Sequence, residues 1–300
     1  MAELCLGTVQ FGMDYGINNT LGQPSKEEVF KILDLAVAHG INVFDTAAAY
    51  GNSEELLGEY SVSRKVTAEK FKVVSKLPAG NMGDLKDISK KIYQEACGSL
   101  RRLHTQDLYG YLLHKAECIY NQDIIASLQR VKQEGLVKNI GISIYQVSEG
   151  EAAIDSGVVD FIQMPYNVFD QRGDTTGFLK KAKSKGITIF TRSVFLQGLF
   201  LMEPDDIPES LGKAKKYLNE FGQLLEEFQL DKVTALLNYP ANNPYIDYVV
   251  VGVDNVVQLQ EHITKFGRQL PAGFMQKARQ MFSHVEEEII MPNLWKLGSK

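Results

Sequence analysis

The sequence predicts an α/β fold, a (β/α)8 TIM barrel built as a single domain. Three observations predict it. The chain runs for 300 residues without a Pro/Gly/Ser-rich linker, a length at which barrels remain one domain. Short apolar runs alternate with longer amphipathic ones from end to end. Most of the short runs are continuously apolar, as in a parallel sheet covered on both faces. Eight βα units in one chain of this length make a barrel. The alternative, an open doubly wound sheet, is weakened because no GxGxxG follows the first strand.

The N-terminal LCLGTVQFG supplies the first strand. A helix follows from Lys26 to His39, with Ser25 as N-cap, Glu28 closing a capping box and Gly40 as the stop. Asn42 to Asp45 is the second strand and Lys72 to Lys76 the third, followed by a helix from about Asp84 to Leu103. Leu108 to Leu113 is a strand, Gln122 to Glu134 a helix stopped by Gly135, and Val137 to Ile142 a strand. A short helix near Gln146 to Asp155 precedes strand Val159 to Gln163; a helix from about Gly177 to Ser184 precedes strand Ile187 to Thr191. The longest helical stretch, about Glu209 to Phe228, and a helix at Asp231 to Asn238 lead to strand Tyr248 to Val251. Helix Val256 to Lys265 completes the eighth unit, and a tail of about residues 271–300 begins with a helix after Pro271.

Composition narrows the function. With 44% hydrophobic and 23% charged residues the chain is ordinary globular protein. A net charge of −5 gives no basic excess for nucleic acid. Cys5, Cys97 and Cys118 are scattered, which argues for a reducing compartment and against structural zinc; no metal site is expected. No run approaches the roughly 20 apolar residues of a membrane helix, and no signal peptide is visible. The expectation is a soluble cytoplasmic protein. Its oligomeric state is not readable.

In a barrel, chemistry belongs at the C-terminal ends of the strands. The second strand ends in Asp45, the third in Lys76 and the fourth in His114, and Tyr50 follows five residues after Asp45. Each alone has a bland reading: a cap, a solvated lysine, a structural histidine, one tyrosine among 13. Together they form a proton-donating constellation for hydride transfer to a carbonyl. Free tyrosine, with a pKa of about 10, is a weak acid at neutral pH. A neighbouring ammonium, Lys76, favours its phenolate, Asp45 holds the ammonium, and His114 positions the carbonyl oxygen. A nicotinamide cofactor must bring the hydride, because no side chain can. His39, His104 and His284 read as surface residues, Glu286 to Glu288 as a solvated helix face, and Tyr166 as packing beneath a loop.

These residues resemble the aldo-keto reductases. Asp45-Thr46-Ala47, Tyr50-Gly51 and Ser53-Glu54 are similar to that family's signature around its catalytic Asp and Tyr. Lys76 after VVSK resembles its catalytic Lys, and SLRRLHTQDLYGYLLH (residues 99–114) its segment ending in the catalytic His. The resemblance spans about Leu6 to Ile263 and implies further roles by position. Ser143 and Gln163 correspond to residues that bind the nicotinamide carboxamide, although Ile144 stands where the family has Asn. Residues 191–198, with Arg192, Ser193, Leu196 and Gly198, resemble the loop around the pyrophosphate. Arg192 replaces the aromatic ring usually stacked on the nicotinamide, a role that a planar guanidinium can also fill.

Residues 249–263 correspond to the adenosine-binding segment, with Gly252, Asp254, Gln258, Glu261 and His262. NADP-preferring members place cations there; this chain has none at 252–258. A carboxylate repels a 2′-phosphate and accepts a bond from a free ribose hydroxyl. The implied cofactor is NAD(H) or NADP(H), with NAD(H) weakly preferred. The expected partner is a small-molecule carbonyl substrate, polar or sugar-like, because the last ten residues, MPNLWKLGSK, carry one aromatic, the chain's only Trp, Trp295. Two other readings are a cofactor-binding regulatory protein with weak turnover and a Schiff-base lyase using Lys76.

Overall fold

Parallel pairing carries each strand to the next until the last meets the first. In the computed structural model, which describes residues 1–78 and 87–295, eight strands close in sequence order. They are β1 (Glu3–Gly7), β2 (Val43–Asp45), β3 (Lys72–Leu77), β4 (Leu108–Leu113), β5 (Val137–Ser143), β6 (Phe161–Pro165), β7 (Thr188–Arg192) and β8 (Tyr248–Gly252). Gly7 stands opposite both Asp45 and Gly252, so the seam falls between two glycines. The surrounding helices are α1 (Lys26–Ala38), α2 (Ser53–Arg64), α3 (Ile88–Arg102), α4 (Gln122–Gln133) and α5 (Val147–Ser156). They continue as α6 (Phe178–Ser184), α7 (Ala214–Glu227), α8 (Lys232–Ala241), α9 (Val256–Lys265) and α10 (Ala272–Met281). Among the described residues no helix is long and apolar enough to cross a membrane.

Side-chain caps fix several helix starts. Ser25, Asn121, Asp231 and Asn255 each accept a backbone N–H from the first turn that follows. Four local expectations are corrected. The first strand ends at Gly7, and VQFG forms one helical turn, Val9–Gly12. The segment between the second and third strands holds α2, whose Leu56, Leu57 and Tyr60 recur at helical spacing and are buried. The long helix starts at Ala214 rather than near Glu209, because residues 204–211 after Pro204 and Pro208 form separate 3-10 turns. The helix after Asp231 runs past Asn238 to Ala241 with Pro240 in its last turn. Of the helix expected from about Asp84, residues 84–86 lie outside the described ones, as do the last five of the tail.

Period-two alternation builds the barrel interior. Cys5, Val43, Val74, Leu112, Phe161, Phe190 and Val250, one from nearly every strand, form one apolar cluster. Phe161 fits because its neighbours are glycines: a Cβ on Gly141 would lie 2.4 Å from its ring and one on Gly110 2.8 Å from it. Two residues further along each of these strands come Gly7, Asp45, Lys76, His114, Gln163, Arg192 and Gly252. The apolar layer is therefore the floor on which a polar layer stands. Gly141→Ala should lower the unfolding free energy by about 1–3 kcal/mol through overpacking, and Phe161→Leu in the same chain should recover part of the loss. Urea denaturation checks both; an unchanged midpoint for Gly141→Ala would contradict this packing.

Candidate active site

Lys76 is the centre of the polar layer, 1% exposed at the inner face of β3. Its ammonium donates to Asp45 Oδ2 at 2.7 Å and to the Thr46 carbonyl at 2.7 Å. The Tyr50 ring lies above it, 4.7 Å from Nζ to centroid. Burial opposes the charge on Lys76, but Asp45 and then Tyr50 outweigh it and hold the pKa above the usual lysine value. Gln163 Nε2 donates to the other Asp45 oxygen at 2.8 Å, so both carboxylate oxygens are occupied. The Tyr50 and His114 rings meet edge to face at 6.0 Å. Burial, reinforced by the Lys76 charge, lowers the His114 pKa to about 4. Its Nδ1 is buried without a partner among the described residues.

Local sequence holds this arrangement from behind. The Thr46 hydroxyl donates to Ser53 Oγ (3.0 Å), Ser53 donates to the Thr8 carbonyl (2.9 Å), and the Thr8 hydroxyl donates to the Asp45 carbonyl (3.0 Å). The ends of β1 and β2 and the start of α2 are thus tied together. One residue before Lys76, on the outer face, Ser75 donates to buried Glu54 at 2.5 Å, and Arg102 pairs with the same carboxylate at 2.6 Å. The turn after Tyr50 rests on the one-turn helix 9–12. A Cβ on Gly51, where φ is +51°, would sit 2.0 Å from the Gly12 carbonyl oxygen.

A cavity of about 320 Å³ opens above the polar layer. Its wall brings together Asp45, Tyr50, Gln163, Arg192, Ser193, Gly198, Gly252, Asp254, Gln258, Glu261 and His262. Ser143 ends β5 opposite Gln163 and Leu196 is fully buried in the core; neither side chain lines the cavity. Residues 193–198 turn through left-handed backbone at Ser193 (φ 62°), Leu196 (49°), Gln197 (54°) and Gly198 (93°), a concentration of strain typical of binding loops. Arg192 does not present an open face on both sides: its guanidinium lies 4.2 Å from the Tyr145 ring centroid. Ile144, at the position of the expected amide, is buried, and its carbonyl accepts from Arg192 at 3.1 Å.

At the far end, Asp254 and Gln258 hydrogen-bond reciprocally, and Asn255 caps α9 beside them. Burial, with help from Asp14, raises the Asp254 pKa. His262 stacks on Phe195, centroids 4.9 Å apart, and burial lowers its pKa to about 4. Glu261 is bound by Lys265 at 2.8 Å. Trp295, in the tail, donates to the Ile289 carbonyl and is absent from the cavity wall. Tyr166 is buried packing, its hydroxyl donating to Asp174 at 2.6 Å.

The model of the aldo/keto reductase family matches residues 3–281. The chain belongs to that family. It is 28% identical over 282 residues to the uncharacterized oxidoreductase YqkF of Bacillus subtilis (strain 168), covering 88% of this chain and 86% of that one. It is 26% identical to L-galactose dehydrogenase of Arabidopsis thaliana, over 87% and 84% of the two chains. Among solved structures, the holo form of aldo-keto reductase AKR11C1 from Bacillus halodurans shares the fold with a TM-score of 0.74 at 22% identity, covering 93% of this chain and 91% of that one. Like its relatives in the aldo/keto reductase family, the protein is an oxidoreductase of carbonyl substrates.

This aldo/keto reductase also lines its cavity with residues that sequence reasoning missed, chiefly Gln10, Tyr15, Asn18 and Gln197. The glycine seam makes room for Gln10: a Cβ on Gly252 would lie 2.4 Å from Gln10 Oε1. The loop carrying Tyr15 and Asn18 bonds to the β7 loop through Ile17 N–H and the Gln197 carbonyl at 3.0 Å. Burial, then the nearby Tyr50 hydroxyl, push the Tyr15 phenol up to about 12, against the opposing Arg192 charge.

The two depressed imidazoles set a pH dependence. Both stay neutral in the fold down to about pH 4, while unfolded histidines bind protons near 6.5. Unfolding therefore takes up protons between those values, and stability present above about pH 6.5 is lost as pH falls towards 4. Urea unfolding from pH 7 to 4.5 should show a slope approaching two protons, about 3 kcal/mol per pH unit at its steepest. His262→Gln should remove about one proton of that slope. A flat profile across this range would contradict the placement of both rings.

Proposed function

We propose that this aldo/keto reductase is an NAD(P)(H)-dependent carbonyl reductase, or the reverse alcohol dehydrogenase, with Tyr50 as proton donor. One observation carries the reading: a cationic Lys76 sealed between the Asp45 carboxylate and the Tyr50 ring at the base of a cavity. When the carbonyl oxygen gains charge, the Tyr50 hydroxyl gives it a proton, and the resulting phenolate sits beside the Lys76 ammonium. His114 is neutral at working pH, so it contributes a hydrogen bond to the substrate oxygen rather than a second charge. Bulk solvent returns the proton to Tyr50, which is only half-buried.

The cavity suits a nicotinamide dinucleotide. Gln10 Oε1, Asp254 Oδ1 and His262 Nδ1 are buried without partners among the described residues, and all three residues line its wall. Unmatched buried polar atoms are costly, so they argue for a polar ligand. The side-chain amide oxygen of Gln163, on the cavity wall, would hold the carboxamide, with Ser143 opposite it at the end of β5, behind that wall. The Ser193, Leu196 and Gly198 backbone would hold the pyrophosphate, and Gly252, Asp254, Gln258, Glu261 and His262 the adenosine. When bound, the cofactor supplies the hydride. Asp254, on the same cavity wall as Glu261, favours a free ribose hydroxyl over a dianionic phosphate, which supports NAD(H).

A Schiff-base role for Lys76 is disfavoured because Asp45 and Tyr50 hold its amine protonated. A silent regulatory scaffold has no use for a buried charge pair, which costs desolvation. The name of the Arabidopsis relative, L-galactose dehydrogenase, supports a small polar, sugar-like substrate.

Tyr50→Phe should lower kcat for carbonyl reduction by about 10²–10⁴ while leaving the fold and cofactor site intact. Fluorescence titration of this silent variant should show NADH binding more tightly than NADPH. Equal turnover by wild type and variant would refute the proton donor, and tighter NADPH would refute the cofactor preference.

A further inference from the structure

Of eight arginines, five are exposed and three half-buried: Arg102, Arg172 and Arg192. Arg102 pairs with Glu54 at 2.6 Å and Arg172 with Asp170 at 2.7 Å, each carboxylate almost wholly buried. Arg192 has no carboxylate partner among the described residues. Among the described residues it donates to the Ile144 carbonyl at 3.1 Å and, at 3.4 Å, to Ser193 Oγ. Withdrawing a guanidinium from water is costly without an anion beside it. Stacking on Tyr145 recovers part of that cost and fixes the plane of the group. It leaves guanidinium N–H groups at the cavity wall, in a fork that matches a carboxylate or phosphate.

The setting concentrates this charge. Lys76, the other cation at this end, is neutralised by Asp45, while the carboxylates Asp254 and Glu261 line the opposite end. Arg192 is close enough to His114 and to Tyr15 for its field to act on both, and it shares the cavity wall with Tyr50. Building on the reductase reading, we infer that Arg192 is an anion subsite, and that the carbonyl substrate carries a carboxylate or phosphate group. Tyr15 and Tyr145 flank the site and give a short anionic chain an apolar wall.

The test compares pairs that share a carbon skeleton and differ in whether they carry the anionic group. For turnover, 4-oxobutanoate is set against butanal, and glyceraldehyde 3-phosphate against glyceraldehyde, so that the two sources of the anion are separated. For binding without turnover, calorimetry of the cofactor-loaded enzyme compares benzoate with benzamide and phenyl phosphate with phenol. Wild type should favour the anion of at least one pair by about ten- to a hundredfold. Arg192→Gln should bring that preference to within about threefold, and Arg192→Lys should restore part of it. Because the readout is a ratio within each enzyme, any effect of the substitution on cofactor binding cancels. A preference that is absent in wild type, or identical in Arg192→Gln, overturns the subsite. Anion-selective binding that depends on Arg192 in an enzyme without Tyr50-dependent reduction would uphold the subsite and refute the reductase reading instead.

Discussion

The Lys76–Asp45 ion pair is the constraint on which the rest of the site depends. Both groups are nearly inaccessible to water, and a buried pair repays its desolvation only when the geometry is good and the remaining lone pairs are satisfied. That condition is met: the ammonium reaches the Thr46 carbonyl as well as Asp45, and Gln163 takes the second carboxylate oxygen. The hydroxyls of Thr8, Thr46 and Ser53 fix the backbone at Asp45, and Glu54 with Arg102 fixes Ser75 beside Lys76. An ion pair that tolerates little displacement thus explains a supporting network behind it, including a second ion pair whose carboxylate, Glu54, is buried and whose guanidinium, Arg102, is half-exposed.

Strand periodicity made much of this legible in sequence. Asp45, Lys76 and Gln163 follow apolar residues of their own strands by two positions, so alternation alone puts them on one face. The same spacing applies to His114 and Arg192. The positions became interpretable together because a closed parallel barrel brings strand ends to one mouth. The four missed or shifted elements have local causes. Helix α2 was hidden by the Gly-containing loop before it, and prolines 204 and 208 divided what periodicity had joined.

Long-range approach was not legible. Gln10 and Tyr15 reach the cavity because the loop after β1 folds back over the seam, and nothing in their neighbours announces it. Leu196 sits inside a segment that resembles a binding loop, yet its side chain faces the core, since left-handed backbone at 196–198 reverses the expected direction. Arg192 was legible as an unusual residue in place of an aromatic one; its stacking on Tyr145 and its lack of a carboxylate partner among the described residues required coordinates. Charge also gained a direction. The net −5 resolves locally into a cavity with carboxylates at one end and a guanidinium at the other.

The central claim is that Lys76 and Asp45 are kept buried for chemistry rather than for stability. A double-mutant cycle with Lys76→Met and Asp45→Asn, read by urea unfolding and by cofactor-dependent turnover, tests it most directly. Each single variant leaves a buried group without its partner and should cost about 3–5 kcal/mol. The double variant should regain most of that stability and remain inactive. Additive losses of stability, or turnover by the double variant near that of wild type, would contradict the account.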